Sequence, residues 1–190
     1  MKYLQIWLGK NPTQKIVNCM TSVVDKLTSD DIYILISNNN FLNNKNIIWI
    51  NSNDYIKEIR KDKNIDLIWN NITKDNKFYC HQSDIIRFHY LSKNDNVLYI
   101  DCDVILLDTF SFNENTIYLP TTSNKNKFFD YYLMYGYKEY FKHILTHAID
   151  LFKDIPYLPS SWVLMVINRK TMVDKYNYKP IENKYNHKDL

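Results

Sequence analysis

The segment Leu98-Tyr99-Ile100-Asp101-Cys102-Asp103-Val104 places two carboxylates one residue apart at the end of an apolar run. Carboxylates at the end of a buried strand are costly unless a positive charge neutralises them. At two-residue spacing they would share one face of a regular strand, and a turn at the strand end can converge them on one cation. Hard divalent ions such as Mg²⁺ and Mn²⁺ take oxygen ligands of this kind and leave positions open for phosphate oxygens. The competing reading is a turn with two solvated aspartates. Apolar flanks on both sides and the lack of turn formers argue against it.

Upstream lies Ser83-Asp84-Ile85-Ile86-Arg87. Asp84 and Arg87 are three residues apart, so on a helix both project from the same face. Such a pair could be a solvated ion pair of little energetic weight. It could equally be a rigid polar pair that holds sugar hydroxyls, and its closeness to Asp101 and Asp103 favours that reading. A third feature is Gln5-Ile6-Trp7-Leu8-Gly9. Trp7 could stack on a nucleotide base, and Gly9 would let backbone approach a ligand closely. A tryptophan in the core satisfies the same sequence.

These features need elements to position them. Tyr3 to Leu8 reads as a buried strand. Pro12 suits the first turn of a helix whose apolar face is Ile16, Val17, Met20, Val23, Val24 and Leu27. Ile32–Ile36 and Ile47–Ile50 read as strands, with the Asn-rich stretch 38–46 as the loop between them. Ser52 can cap a helix through Arg60, followed by helical segments over Ile65–Ile72 and Phe78–Leu91. Val97–Ile100 is an apolar strand ended by the two aspartates and resumed by Val104–Leu107. Ile117–Leu119 predicts a strand, Phe128–Phe152 a helix broken at Gly136, and Trp162–Ile167 a late buried strand. Continuous apolar strands alternating with helices argue an α/β fold with a mainly parallel central sheet flanked by helices. Such sheets bind ligands at the carboxyl ends of strands, where Asp101 and Asp103 would sit.

Composition narrows the function classes. The chain has 190 residues, 45% of them hydrophobic, which suits one domain over residues 1–190 with a real core. A net charge of +3 is too weak and too evenly spread for nucleic acid to be the main partner. Gly9 and Gly136 are the only glycines, which excludes P-loops and dinucleotide fingerprints because both need several. Cys19, Cys80 and Cys102 are odd in number and lack CxxC spacing, so neither a disulfide framework nor a zinc site is indicated. No apolar stretch is long enough for a signal peptide core or an integral membrane segment, so the expectation is a soluble, cytoplasmic protein.

Taken together, the segments resemble retaining nucleotide-sugar glycosyltransferases of the GT-A fold. HQSDIIRFHYLSKNDNVLYIDCDVILLDTF is similar to the SD-x-x-R helix and DxD strand of family 32 and of the large clostridial glucosylating toxins. NVLYIDCDVILLDTF is equally similar to family 8. QIWLG resembles the first strand of family 32, and SSWVLMVINRK the family 8 strand written N-S-G-V-M-L-I-N. The four segments follow the family order over most of the chain. Where family 32 has Gly-Gly before the DxD strand, this chain has Asn94-Asp95-Asn96, residues that tolerate turn conformations. Trp162 replaces the glycine of N-S-G.

The resemblance implies a UDP-sugar donor, with glucose or galactose as the usual cargo. It implies Mn²⁺ or Mg²⁺ as cofactor and a glycan, lipid-linked or protein acceptor. Ile6, Trp7 and Leu8 would line the nucleoside pocket with Ser83 beside it, and Asn38 would add a nucleoside contact. Asp84 and Arg87 would bind the donor sugar, with Arg87 also near the diphosphate. Asp101 and Asp103 would place the metal, with the Cys102 backbone near the ribose. His187, close to the C-terminus, stands where family 8 has a histidine metal ligand, without the glycine and lysine usually downstream. Since no nucleophile is evident, front-face retaining transfer is the expected route. Two rivals share parts of the pattern. A haloacid-dehalogenase-type phosphohydrolase also ends a strand in D-x-D, but it needs glycines just after the motif and carries it near the domain's start. The other is a non-catalytic relative that binds a sugar nucleotide or glycan.

Overall fold

Four strands begin the architecture: β1 (Lys2–Trp7), β2 (Ile32–Ser37), β3 (Ile47–Asn51) and β4 (Val97–Ile100). The computed structural model describes residues 1–42, 46–72, 79–113, 116–120, 132–154 and 178–181. All four strands run parallel, in the order β3-β2-β1-β4. β1, β2 and β4 are largely apolar on both faces because helices cover both, whereas β3, at the end of this order, leaves Ile48 and Trp49 exposed. The sheet continues from β4 through β6 (Leu133–Gly136), β5 (Ile117–Pro120) and β7 (Tyr178–Ile181). Among the described residues the sheet has seven strands, of which only β6 runs against its neighbours, so it is mainly parallel, as expected.

The alternation of strand side chains divides the core into two layers. Leu4, Ile6, Ile34, Ile36, Val97 and Tyr99 pack against α2 (Ser52–Ile59), α3 (Lys63–Ile72), α4 (Tyr79–Leu91) and α5 (Lys138–Asp154). Tyr3, Tyr33, Leu35, Leu98 and Ile100 face the other way, onto Met20 and Val23 of α1 (Gln14–Val24) and the segment that carries Cys102 and Leu106.

Several local expectations are corrected. Thr13 occupies the N-cap of α1, so Pro12 precedes the helix instead of opening it. Asn51, not Ser52, caps α2: its side chain accepts from the backbone N–H groups of Asn53 and Asp54. Asn can do this from the last residue of β3, and that frees the Ser52 hydroxyl for another bond. Val104–Leu107 is not a strand. Ile105 and Leu107 are each 60% exposed, and the Leu106 N–H donates to Ser22 Oγ on α1 at 2.9 Å. Residues 133–136 form a strand where helix was expected; both its faces are buried, so it carries no alternation to read. Gly136 serves packing there, because a Cβ would lie 3.2 Å from the Phe141 ring. The strand expected at Trp162–Ile167 lies outside the described residues, as does the part of the expected helix from 128 to 131.

The tight turn before β4 is kept without glycine. Asn96 adopts φ 58°, the left-handed conformation that Asn tolerates, and its carbonyl accepts from the Lys2 N–H at 3.1 Å.

Candidate active site

The strand order reverses at β1. β2 and β3 lie on one side of it, and β4, reached after three helices, lies on the other. Backbone pairing of β1 with β4 stops at Leu4↔Tyr99, whereas β1 stays paired with β2 as far as Trp7↔Ser37. The two strands therefore part at their carboxyl ends, and parallel sheets place ligands in this kind of crevice.

Asp101 follows β4 directly. Its N–H donates to the Tyr132 carbonyl at 2.7 Å, and its carbonyl accepts from the Val104 N–H at 3.2 Å. The second bond closes a four-residue turn in which Asp101 is the first residue and Asp103 the third. The two aspartates thus belong to a turn and do not share a strand face. It is Tyr99 that shares the face of Asp101, and its hydroxyl donates to Asp101 Oδ1. Burial pushes the Tyr99 phenol well up, against the opposing effect of Arg87, so the donor keeps its proton.

Arg87 comes from α4, one turn after Asp84, and both side chains are buried. Nη2 of Arg87 is paired with Asp84 Oδ1, while Nη1 lies 3.5 Å from Asp101 Oδ1. The guanidinium also sits over the Tyr99 ring, 4.9 Å from its centroid. One buried cation is shared by two carboxylates, and the second of these reaches the surface, with its side chain 35% exposed. Asp103 is exposed. His81 Nδ1 lies 3.9 Å from Asp84 Oδ2, and burial lowers the His81 pKa, favouring the neutral ring.

The other expected residues make the following contacts. Ile6 and Leu8 are buried in the core with 5% and 6% exposure, so only their backbone faces the strand ends. Trp7 lies on the opposite face of the sheet, its Nε1–H donating to the Lys10 carbonyl at 2.6 Å. Asn38 links β2 to β1 by donating to the Leu8 carbonyl at 3.0 Å, and it accepts from the Ser52 hydroxyl. Ser83 Oγ donates back to the Cys80 carbonyl at 2.8 Å. The Cys102 thiol is buried, donates to the Ile6 carbonyl at 3.2 Å, and is pushed well up by burial and then by Asp101. It is therefore no nucleophile. Tyr135 and Tyr140 are core residues. His187 lies outside the described residues.

The sequence reading missed Gln5 and Tyr33. Gln5 has no exposed surface; its Nε2 donates to the Asp101 carbonyl at 3.1 Å, and its Oε1 accepts from the Tyr33 hydroxyl. The available signal was a lone amide inside an otherwise apolar strand.

The donor set at the turn is two carboxylates, one of them exposed, beside a fixed cation. Hard oxygen ligands of this kind fit a divalent ion completed by the phosphate oxygens of a ligand. Among the described residues, no group of three or more His, Cys, Asp and Glu side chains converges to hold a metal unaided.

No protein-family model matches the sequence, and no curated protein matches it. Solved structures do. The chain is similar to the PaToxG glycosyltransferase, with 17% identity and a TM-score of 0.66, over 90% of this chain and 68% of that one. It is similar to the glycosyltransferase GlyE of Streptococcus pneumoniae, with 14% identity and a TM-score of 0.54, over 97% of this chain and 46% of that one. It is also similar to the galactosyltransferase LgtC solved with donor and acceptor sugar analogs, with 12% identity and a TM-score of 0.52, over 86% of this chain and 69% of that one. At these identities the likeness is one of fold, and the chain has the GT-A fold. It spans about two thirds of PaToxG and LgtC and less than half of GlyE. Among the described residues, no helix is long and apolar enough to cross a membrane.

Proposed function

We propose that the chain is a metal-dependent retaining glycosyltransferase. It moves a hexose, glucose or galactose, from a UDP-sugar to a glycan, lipid-linked or protein acceptor. The observation that carries this reading is the run from the buried Asp84–Arg87 pair to the partly exposed Asp101 at the reversal point of the sheet, two residues before the exposed Asp103. The fold shared with solved glycosyltransferases supports it.

Sugar transfer requires stabilising a departing nucleoside diphosphate while positive charge grows on the anomeric carbon. Mn²⁺ or Mg²⁺ held by Asp101 and Asp103, with His187 as a further ligand, would act as Lewis acid for the leaving diphosphate. Arg87 holds a positive charge on the same side. Its pairing with Asp84 fixes the guanidinium plane before substrate arrives, so no reorganisation is needed during reaction. Asp84 in turn presents carboxylate oxygens to sugar hydroxyls. The backbone of Ile6 to Leu8, with Trp7, Asn38, Ser83 and the Cys102 backbone, borders the nucleoside side. The acceptor hydroxyl attacks beside the leaving diphosphate, on the face from which it departs, and the anomeric configuration is kept.

The test is to incubate the chain with UDP-glucose and UDP-galactose, with and without Mn²⁺. UDP release and the anomer of the released sugar are then followed by proton NMR. Mn²⁺-dependent release with the α-anomer formed first is expected. Release of the β-anomer first would contradict retention. Binding without release from either donor would point to a sugar-nucleotide binding module.

A further inference from the structure

The two aspartates depend on the Asp101 carbonyl, which closes their turn by accepting from the Val104 N–H. A second donor reaches the same oxygen: Gln5 Nε2, 3.1 Å away on β1. This bond spans the crevice where the β1–β4 backbone ladder has already ended at Leu4↔Tyr99. A side-chain amide thus replaces the ladder at the point where the strands must part to admit a ligand.

An amide can be flipped, and only one orientation offers its NH₂ to Asp101. The Asp101 carbonyl can only accept, so it draws the NH₂ toward itself, and the Tyr33 hydroxyl, donating to the Oε1 left on the other side, holds the amide there. Both residues are fully buried, so neither exchanges its bond for water without cost.

We propose that Gln5 and Tyr33 are positioning residues for the metal-binding turn, setting its geometry from β1 and β2. The inference rests on the proposed donor site, whose aspartates it concerns. Neither residue touches substrate; each acts through the Asp101 carbonyl.

The test uses Gln5→Met, Tyr33→Phe and the double variant. The double variant removes both polar partners together, so no buried hydroxyl is orphaned and folding is protected. Two readouts follow: hydrogen exchange of the Val104 amide without ligand, and the Mn²⁺ concentration needed for half-maximal UDP binding by calorimetry. Gln5→Met and the double variant are expected to speed Val104 exchange and raise the Mn²⁺ requirement, each by about 3- to 10-fold. Tyr33→Phe should fall between them and wild type, and the double variant should be no worse than Gln5→Met. Wild-type values for both readouts in Gln5→Met overturn this inference alone. Absence of Mn²⁺-dependent UDP binding in the wild-type chain overturns the donor site and this inference with it.

Discussion

Arg87 and Asp101 meet across the seam between α4 and β4, Nη1 lying 3.5 Å from Oδ1, while Nη2 of the same guanidinium is paired with Asp84. A helix residue and a strand-end residue separated by 14 positions are thereby held by one buried charge. Asp84 and Arg87 lie inside, and Asp101 reaches the surface with its side chain 35% exposed.

Arg87→Ala should lower stability by about 3 kcal/mol or more in urea unfolding, because it leaves Asp84 buried without its cation. Arg87→Met combined with Asp84→Leu should recover much of that loss without restoring donor binding. Full stability in Arg87→Ala would mean that water reaches Asp84 freely.

Asp103→Ala should behave in the opposite way. The residue is exposed, so unfolding free energy should change by less than about 0.5 kcal/mol. Mn²⁺-dependent nucleotide binding should be lost, as calorimetry would show.

The strand ends and the site were legible to different degrees, for physical reasons. Val97–Ile100 and the first two strands were readable because burial on both faces demands near-continuous apolar runs, and Ile47–Ile50 because it is apolar throughout even with Ile48 and Trp49 exposed. The same property hid Leu133–Gly136 among tyrosines, where a run buried on both faces cannot be told from helix by period. Val104–Leu107 misled because apolar residues there pack singly, Leu106 inward and its neighbours outward. β7 escaped notice because Pro180 interrupts it, which is tolerated on an edge strand. Asp84, Arg87, Asp101 and Asp103 stand out in the sequence by charge spacing and by the motif resemblance, and the structure joins Asp84, Arg87 and Asp101 through one guanidinium. Gln5 does not stand out, since its role depends on the point where two strands part, and no local pattern encodes that.

Asn51→Ala and Ser52→Ala should separate capping from site geometry. Asn51→Ala removes the acceptor for the Asn53 N–H at 2.9 Å and should cost about 1 kcal/mol. Ser52→Ala leaves the cap intact but takes away the hydroxyl donated to Asn38. It should weaken UDP binding while leaving the exchange rates of α2 amides unchanged.

His89 gives a pH dependence with a definite sign. Burial first, then Lys93, lowers its pKa from 6.5 to about 4, and its Nδ1 lies 2.9 Å from the Tyr55 hydroxyl. Between these values the unfolded chain takes up a proton that the folded chain refuses. Stability from the neutral ring is therefore complete above pH 6.5 and declines as pH falls toward 4. Unfolding free energies measured across that range should decline less steeply in His89→Gln than in wild type. Equal slopes would show that His89 titrates alike in both states.

The central claim is that the turn of Asp101 and Asp103 holds a cation for a nucleotide diphosphate. The most direct measurement is thermal stabilisation by UDP, with Mn²⁺ and then with EDTA, in wild type and Asp103→Ala. A ligand bound only by the folded chain must raise the melting temperature. A shift that needs Mn²⁺ and vanishes in Asp103→Ala is the predicted result. No shift with millimolar UDP, or one indifferent to Mn²⁺ and to Asp103, would contradict it.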